Sequence, residues 1–172
     1  MHVSRTEYNV QCVCHIRIKV YKMWKARTLR DIKQLTDAGY VVTAENGGDL
    51  TDVKSFMVTM TGPKDSPYEN HAFPLLFTMS EQFPFKSPSV GFRRRVYHPN
   101  VDENSGSICL DSLNKAWSPA FTLLNIVEAQ LPFLLQYPNA SDPFNREAAA
   151  MLARDPKEFD TYVRAHCIAT KR

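Results

Sequence analysis

Two stretches in the first half of this chain place apolar side chains at every second position, and only turn-forming residues separate them. A period of two is typical of β-strands with one buried face. The connection from Gly62 to Pro67 is too short for a crossover helix, so the strands should pair as an antiparallel meander. Their predicted inner face contains Phe56, Val58 and Met60 from "VKSFMVTMTGP" and Phe73, Leu75, Phe77 and Met79 from "FPLLFTM".

Helical patterns precede and follow these strands in the sequence. The fourth strand of the sheet is predicted over Ser89–Phe92. A first helix is predicted over Met23–Ala38, with Gly39 as its C-cap residue. From Pro119 onward the stretch "FTLLNIVEAQLPFLLQY" is apolar on nearly all sides and predicts a buried helix. Proline lacks a backbone donor, so Pro132 should kink or end that helix.

Two more helices are predicted near the C-terminus. Asn145 should cap a helix that runs through Arg154, and "DPKE" resembles a capping box that begins a last helix from Pro156 to about Ala169. The predicted fold class is therefore α+β, with an N-terminal helix, a four-stranded antiparallel meander, a long loop and three C-terminal helices.

Composition is that of an ordinary globular domain, with 44% hydrophobic and 23% charged residues. A net charge of +3 is too small to indicate nucleic-acid binding, and no apolar run is long enough to span a membrane.

We expect residues 1–21 to be a flexible extension rather than a mitochondrial address, and residues 22–172 to form one domain. Cys12 and Cys14 beside His15 provide too few ligands for zinc, so no metal site is predicted. Reduced thiols and the absence of a recognisable signal peptide indicate the cytoplasm or nucleus.

The long loop contains "RVYHPNVDENSGSICLD", in which a histidine, an asparagine and a cysteine lie close together. Long loops in compact domains are usually functional. From the residues alone, Cys109 is either a small buried hydrophobe or a nucleophile. His98 is a candidate base, but its position before a proline in a turn favours a role in bonding the loop backbone.

Resemblance to a known family decides between these alternatives. "YHPN", the cysteine of "GSICLD" and the following "WSP" resemble the core of the ubiquitin-conjugating enzymes, the E2 family. "GPKDSPYE", "FPFKSPSVGF" and "YPNASDPFN" resemble further segments of that family in the same order. The resemblance implies a UBC-like fold and is closest to the H-type branch. Asn70 and His71 stand where the family commonly has two glycines, and Pro74 should delay its strand or form a bulge.

The resemblance also implies the chemistry of the loop. Cys109 would accept ubiquitin from an activating enzyme (E1) as a thioester, and Asn100 would stabilise the negative charge that develops on transfer to lysine. Asp142 matches the acidic residue that orients or deprotonates the incoming amine, while Tyr97, His98 and Pro99 would support the loop. Structural alternatives remain open at this point: Asn100 as a brace for the loop, Asp142 as a turn residue, and Tyr97 as part of the core.

The partners implied are ubiquitin, an activating enzyme, a RING-type ligase (E3) and protein substrates, with histones expected for the branch. The ligase-binding residues that match the family are Phe85, Lys86, Pro119 and Ala120. Arg27 and Arg30 of the first helix are candidates to join them, although a solvated helix face is the favoured interpretation of each. No cofactor is expected, since the activating enzyme uses the ATP. A noncatalytic E2-like module and an E2 for a ubiquitin-like modifier are the alternatives.

Overall fold

A computed structural model describes residues 23–45, 47, 48, 50, 54–108 and 117–167. The predicted extension, residues 1–21, lies outside these ranges, as does Cys109. The predicted order of one helix, four strands and three helices is confirmed. In chain order the elements are α1 (residues 23–37), β1 (Val42–Ala44), β2 (Ser55–Thr61), β3 (Ala72–Thr78), β4 (Ser89–Phe92), α2 (residues 123–136), α3 (Arg146–Arg154) and α4 (Pro156–Cys167).

The four strands form one antiparallel sheet in the order β1-β2-β3-β4. Its predicted inner face is buried, and Phe56 stacks on its cross-strand partner Phe77 with 5.2 Å between ring centroids. A single hydrophobic cluster joins this face to apolar residues of all four helices, among them Trp24, Leu131 and Phe159. The sheet and the helices therefore share one core.

The prediction for Pro74 is wrong, because the strand is neither delayed nor bulged. β3 begins at Ala72, and its register with β2 continues without interruption through the pair Thr59–Pro74. The carbonyl of Pro74 accepts a hydrogen bond from the Arg93 amide at 2.8 Å, so the missing N–H faces the same side. β4 ends at Phe92, so the proline lies at the end of the β3–β4 ladder and the sheet loses little. In the turn before the strand Asn70 has φ 64°, a conformation that asparagine tolerates better than most residues.

The prediction that Pro132 ends the helix is wrong, since α2 continues past the proline to Gln136. The helix changes instead to a π-helical turn over Ile126–Gln130, where the Leu131 amide bonds to the Ile126 carbonyl five residues earlier. This wider turn ends at Gln130, two residues before the proline, and the helix continues from it without a break.

Helix ends follow their predicted signals in most respects. Gly39 has φ +93°, and the amide of Tyr40 bonds to the carbonyl of Leu35 at 3.0 Å, which is the arrangement of a Schellman cap. Asn145 caps α3 by accepting from the Ala148 amide at 3.0 Å.

The capping box predicted for α4 is only half formed. Asp155 accepts hydrogen bonds from the amides of Lys157 and Glu158, as an N-cap residue does. Glu158 pairs with Arg154 instead of the Asp155 amide, because that amide already donates to Met151.

Candidate active site

Four consecutive residues, 97 to 100, are each fixed by a different part of the fold. Tyr97 and Pro99 are held through their backbone carbonyls, which accept from the Tyr68 hydroxyl at 2.7 Å and from the Asn145 amide at 2.9 Å. All four residues are buried. Irregular backbone inside a protein must find hydrogen-bond partners, and these bonds to other segments allow the loop to be buried with the core.

His98 is fully buried, and both of its ring nitrogens are occupied. Nδ1 accepts from the Asn100 amide at 3.0 Å, which leaves the proton on Nε2 to donate to the Leu134 carbonyl at 3.0 Å. That carbonyl has no amide partner four residues later, since residue 138 is a proline. Burial lowers the pKa of His98 to about 4, despite the opposing effect of the hydrogen bond to Leu134. The ring therefore stays neutral near pH 7 and acts as a brace rather than a base.

The side chain of Asn100 makes a reciprocal pair of hydrogen bonds with the backbone of Asn139. Its Nδ2 donates to the Asn139 carbonyl at 2.7 Å, and its Oδ1 accepts from the Asn139 amide at 2.8 Å. Asn100 is 1% exposed. The bracing role that was left open is thus present, and the second N–H of the Asn100 side-chain amide takes no part in this pair.

Asp142 is exposed on the segment that Asn100 holds. Asn139 Oδ1 accepts from the Ser141 amide at 3.0 Å and from the Ser141 hydroxyl at 2.6 Å, which fixes the turn before Asp142. The structure therefore ties two of the predicted site residues together through Asn139. Sequence analysis missed Asn139; the only signal for it is its place in "YPN", since an amide next to a proline commonly organises a turn.

Tyr97 packs into the core rather than along an open groove. Its ring lies against Tyr162 and Phe159 of α4, with centroid separations of 4.5 and 6.0 Å. Burial, followed by the charge of Glu147, raises the pKa of Tyr97 to about 12. Among the described residues its buried hydroxyl has no hydrogen-bond partner.

A tight hairpin leads from Asn100 to the predicted nucleophile. Val101 and Ile108 form an antiparallel bridge, and Asp102 Oδ1 accepts from the amides of Asn104 and Ser105 in the turn between them. Ile108 is 3% exposed. Cys109 follows it directly and lies, with residues 110–116, outside the described ranges.

The residues predicted to bind a ligase are all exposed, and they lie on two loops that contact each other. Phe85 is 70% exposed, and Lys86, Pro119 and Ala120 are likewise at the surface. Beneath them, Trp117 Nε1 donates to the Pro84 carbonyl at 2.7 Å, and its ring lies 6.0 Å from that of buried Phe83. The structure thus brings both predicted contact loops to one surface, called the platform below.

Arg27 corrects the expectation of a solvated helix face, because its side chain is only 11% exposed. Its Nη1 and Nη2 donate to the carbonyls of Pro119 and Phe121 at 2.8 and 2.5 Å, and its Nε donates to Asp31 at 2.8 Å. Asp31 is fully buried and also accepts from the Leu123 amide at the start of α2. Arg27 therefore holds the platform to α1, whereas Arg30 is exposed.

Two general classes of site are not found among the described residues. No helix there is both long and apolar enough to cross a bilayer. No group of three His, Cys, Asp or Glu side chains within the same ranges would hold a metal ion. Cys12, Cys14 and His15 lie outside them.

Comparisons with known proteins agree with this architecture. The family model for ubiquitin-conjugating enzymes matches residues 9–167. Ubiquitin-conjugating enzyme E2 6 of Arabidopsis thaliana is 46% identical over 137 residues, which cover 80% of this chain and 73% of that protein. The E2-24 kDa enzyme of Saccharomyces cerevisiae is 43% identical over 133 residues, covering 76% of this chain and 61% of the yeast protein. In three dimensions, the E2 domain of a Toxoplasma gondii ubiquitin-conjugating enzyme aligns with a TM-score of 0.72 and 28% identity, over 81% of this chain and 93% of that one.

The α+β domain with its braced HPN loop is thus of the ubiquitin-conjugating type. The chain belongs to the ubiquitin-conjugating enzyme family, and it is a transferase that carries ubiquitin as a thioester. Its general partners are ubiquitin, an activating enzyme and a ligase. The names of these relatives do not favour a noncatalytic module or a ubiquitin-like modifier.

Proposed function

We propose that Cys109 is the residue that carries ubiquitin and that the loop 97–100 assists the transfer step. The observation that carries the proposal is the reciprocal pairing of Asn100 with Asn139, next to the Val101–Ile108 bridge. The bridge joins the residue after Asn100 to the residue before Cys109. An amide fixed in this way needs little reorganisation during the reaction, which is the property that makes a donor effective.

The reaction proceeds in two steps, the charging of Cys109 and the transfer of ubiquitin to lysine. The Cys109 thiolate attacks the carbonyl of ubiquitin bound to the activating enzyme as a thioester, and the activating enzyme's thiolate leaves. A substrate lysine, as the free amine, then attacks the new thioester carbonyl, and the Cys109 thiolate leaves as the amide forms. In this second step the remaining N–H of Asn100 stabilises the developing oxyanion, a contribution of about 3 kcal/mol.

Asp142 acts on the incoming lysine, whose ammonium form must lose a proton before it attacks. The ordinary pKa of a lysine is about 10.4, so a nearby carboxylate assists by orienting the amine and by accepting or relaying the proton. The exposure of Asp142 supports this role because a protein substrate must reach it. The neutral, fully bonded His98 is not a candidate for it.

The platform binds the ligase. Exposed Phe85 provides an aromatic anchor, and Lys86, Pro119 and Ala120 extend the surface around it. The same proposal includes a RING-type ligase, histone substrates and the H-type branch, which rest on the resemblance of the sequence motifs. It also includes a cytoplasmic or nuclear location, which rests on the expectation of reduced thiols. The enzyme itself requires no cofactor, since ATP is consumed by the activating enzyme.

The test is a charging reaction with activating enzyme, ATP and ubiquitin, followed by electrophoresis with and without a thiol reductant. We expect the wild-type adduct to be lost with reductant, the Cys109→Ser adduct to survive as an oxygen ester, and Cys109→Ala to form none. Cys167→Ala is the matched control and should charge like wild type. A reductant-sensitive adduct on Cys109→Ala would refute the assignment of the nucleophile.

A further inference from the structure

The turn between β2 and β3 contains a position where this chain departs from the family motif. His71 stands where the resemblance to the E2 family would place a glycine. The backbone of His71 closes the turn, since its amide donates to the Tyr68 carbonyl at 3.3 Å and its carbonyl accepts from the Gly62 amide at 2.9 Å. The ring is partly buried, and it makes no hydrogen bond within the described part of the chain. The turn therefore uses the backbone of residue 71 and leaves its imidazole available.

Two arginines from other elements bond to the same turn. Arg164 of α4 donates from Nη2 to the Ser66 carbonyl at 3.2 Å. Arg94, two residues after β4, donates from Nη1 to the Ala72 carbonyl at 3.3 Å. Burial lowers the pKa of His71, and the charges of Arg94 and Arg164 lower it further. Two guanidinium groups and one imidazole are therefore gathered at this turn.

The charge of Arg164 is not paired with a carboxylate. Arg164 is exposed and forms no salt bridge with any residue that the structure describes. Asp65 and Glu69 lie on the turn itself, where the Asp65 amide donates to Glu69 Oε2 at 3.0 Å. No described acid offsets the effect of the two arginines on the pKa of His71. Because like charges held close together repel, an anion that binds between them is favoured.

The arginines on either side of Arg94 limit the size of this positive region. Arg93 pairs with Glu45 at 3.6 Å, and Arg95 pairs with Glu103 at 2.9 Å. A nucleic acid would need a longer track of cations to bind its successive phosphates. A single phosphate monoester fits a compact site better. It carries nearly two negative charges at neutral pH, and its three oxygens accept charge-assisted hydrogen bonds.

We propose that Arg164, His71 and Arg94 bind the phosphate group of a phosphoserine or phosphothreonine on an exposed segment of a partner protein. Arg164 uses one of its five N–H donors for the Ser66 carbonyl and presents others to the phosphate oxygens. His71 donates from its protonated ring, and Arg94 adds its charge. Both arginines are already held by the turn, so binding requires little further ordering of their side chains. Occupancy of this site does not depend on the proposed role of Cys109.

The experiment titrates the blocked peptide Gly-Ala-phosphoserine-Ala-Gly into the ¹⁵N-labelled full chain and follows backbone amides and the His71 ring by NMR. We expect shifts centred on His71 and Ala72, and a rise in the pKa of His71, because a bound dianion favours the charged ring. Arg164→Gln should weaken binding by about fivefold to tenfold, since it removes a charge and its planar set of donors. His71→Gly, which restores the residue common in the family, should weaken binding by about threefold.

Three controls separate this site from general attraction to a basic surface. Arg146→Gln removes the same charge from an exposed position on α3 and should leave affinity unchanged. A peptide with serine in place of phosphoserine should not bind, and a peptide with glutamate there should bind more weakly. Equal affinity for the glutamate peptide, unchanged affinity in Arg164→Gln, an unaltered pKa of His71 or shifts centred elsewhere would overturn the proposal. Inorganic phosphate that bound as tightly as the phosphopeptide would assign the site to the free ion, and would likewise overturn it.

Discussion

The loop 97–100 and the platform are both irregular backbone, yet they are built in opposite ways. Every residue of the loop is buried and bonded to a separate element of the core. In the platform only the base is buried, while Phe85, Pro119 and Ala120 project into solvent. The comparison indicates that the core fixes the position of the loop at every residue, whereas it fixes only the support beneath the exposed side chains of the platform. Substitutions in the two regions should therefore affect different properties.

The largest difference in stability is expected between His98 and Phe85. His98→Ala removes a buried ring and leaves the Leu134 carbonyl and the Asn100 amide unpaired, which should cost about 4 kcal/mol. Phe85→Ala truncates a side chain that is 70% exposed and should change stability by less than about 0.5 kcal/mol. Urea unfolding of both variants measures the difference. Similar losses in the two would contradict the distinction between the regions.

The support of the platform should respond to Arg27 almost as strongly. Arg27→Met removes its three hydrogen bonds and leaves the buried carboxylate of Asp31 with only the more distant guanidinium of Arg30, at 3.9 Å, at a cost of about 3 kcal/mol. Arg30→Met is the matched control, because the Arg30 side chain is 64% exposed. The same unfolding measurement should show little change for it. If the two variants were equally stable, Arg27 would not be the residue that holds the platform.

Acid should weaken the loop before it weakens the platform. The folded-state pKa of His98, about 4, lies below the ordinary value of 6.5, so the unfolded chain takes up the proton first as the pH falls. This stability is fully present above about pH 6.5 and is lost as the pH falls toward 4, by up to about 3 kcal/mol. His71, whose pKa burial also lowers, contributes in the same direction.

Unfolding free energies measured from pH 7.5 to pH 4 test this prediction. His98→Gln should flatten the dependence, and His71→Gln should remove the smaller share. An unaltered pH dependence in His98→Gln would show that the buried ring does not titrate as expected.

The smallest predicted effects on stability concern Tyr97 of the loop and Tyr68, whose hydroxyl donates to the Tyr97 carbonyl. Tyr68→Phe removes the donor to the Tyr97 carbonyl and should cost about 1 kcal/mol. Tyr97→Phe removes a buried hydroxyl that has no partner among the described residues, so it should be neutral or slightly stabilising. Thermal unfolding resolves the pair, and the reverse order would contradict the assigned hydrogen bonds.

Patterns that depend on neighbouring residues were predictable from sequence. The alternation around Phe56 and Phe73 and the caps at Gly39 and Asn145 are local, and the structure follows them. Pro74 and Pro132 were misjudged because their effects depend on the end of an adjacent strand and on a π-helical turn, which no local pattern indicates.

Local sequence patterns have the same limit in predicting the candidate active site. The HPN motif identifies the loop, but the motif does not contain its partners at Leu134, Asn139 and Asn145. The burial of Arg27 also depends on carbonyls far away in the sequence. Long-range hydrogen bonds of this kind become visible only in the folded chain.

The most direct test of the account is the single-turnover discharge of the purified Cys109–ubiquitin conjugate to free lysine, without ligase. Charging should be similar in wild type and Asn100→Ala, but discharge should be about 100-fold slower in the variant, while Phe85→Ala discharges like wild type. Equal discharge rates for wild type and Asn100→Ala, or a conjugate that peptide mapping locates on a residue other than Cys109, would contradict the account.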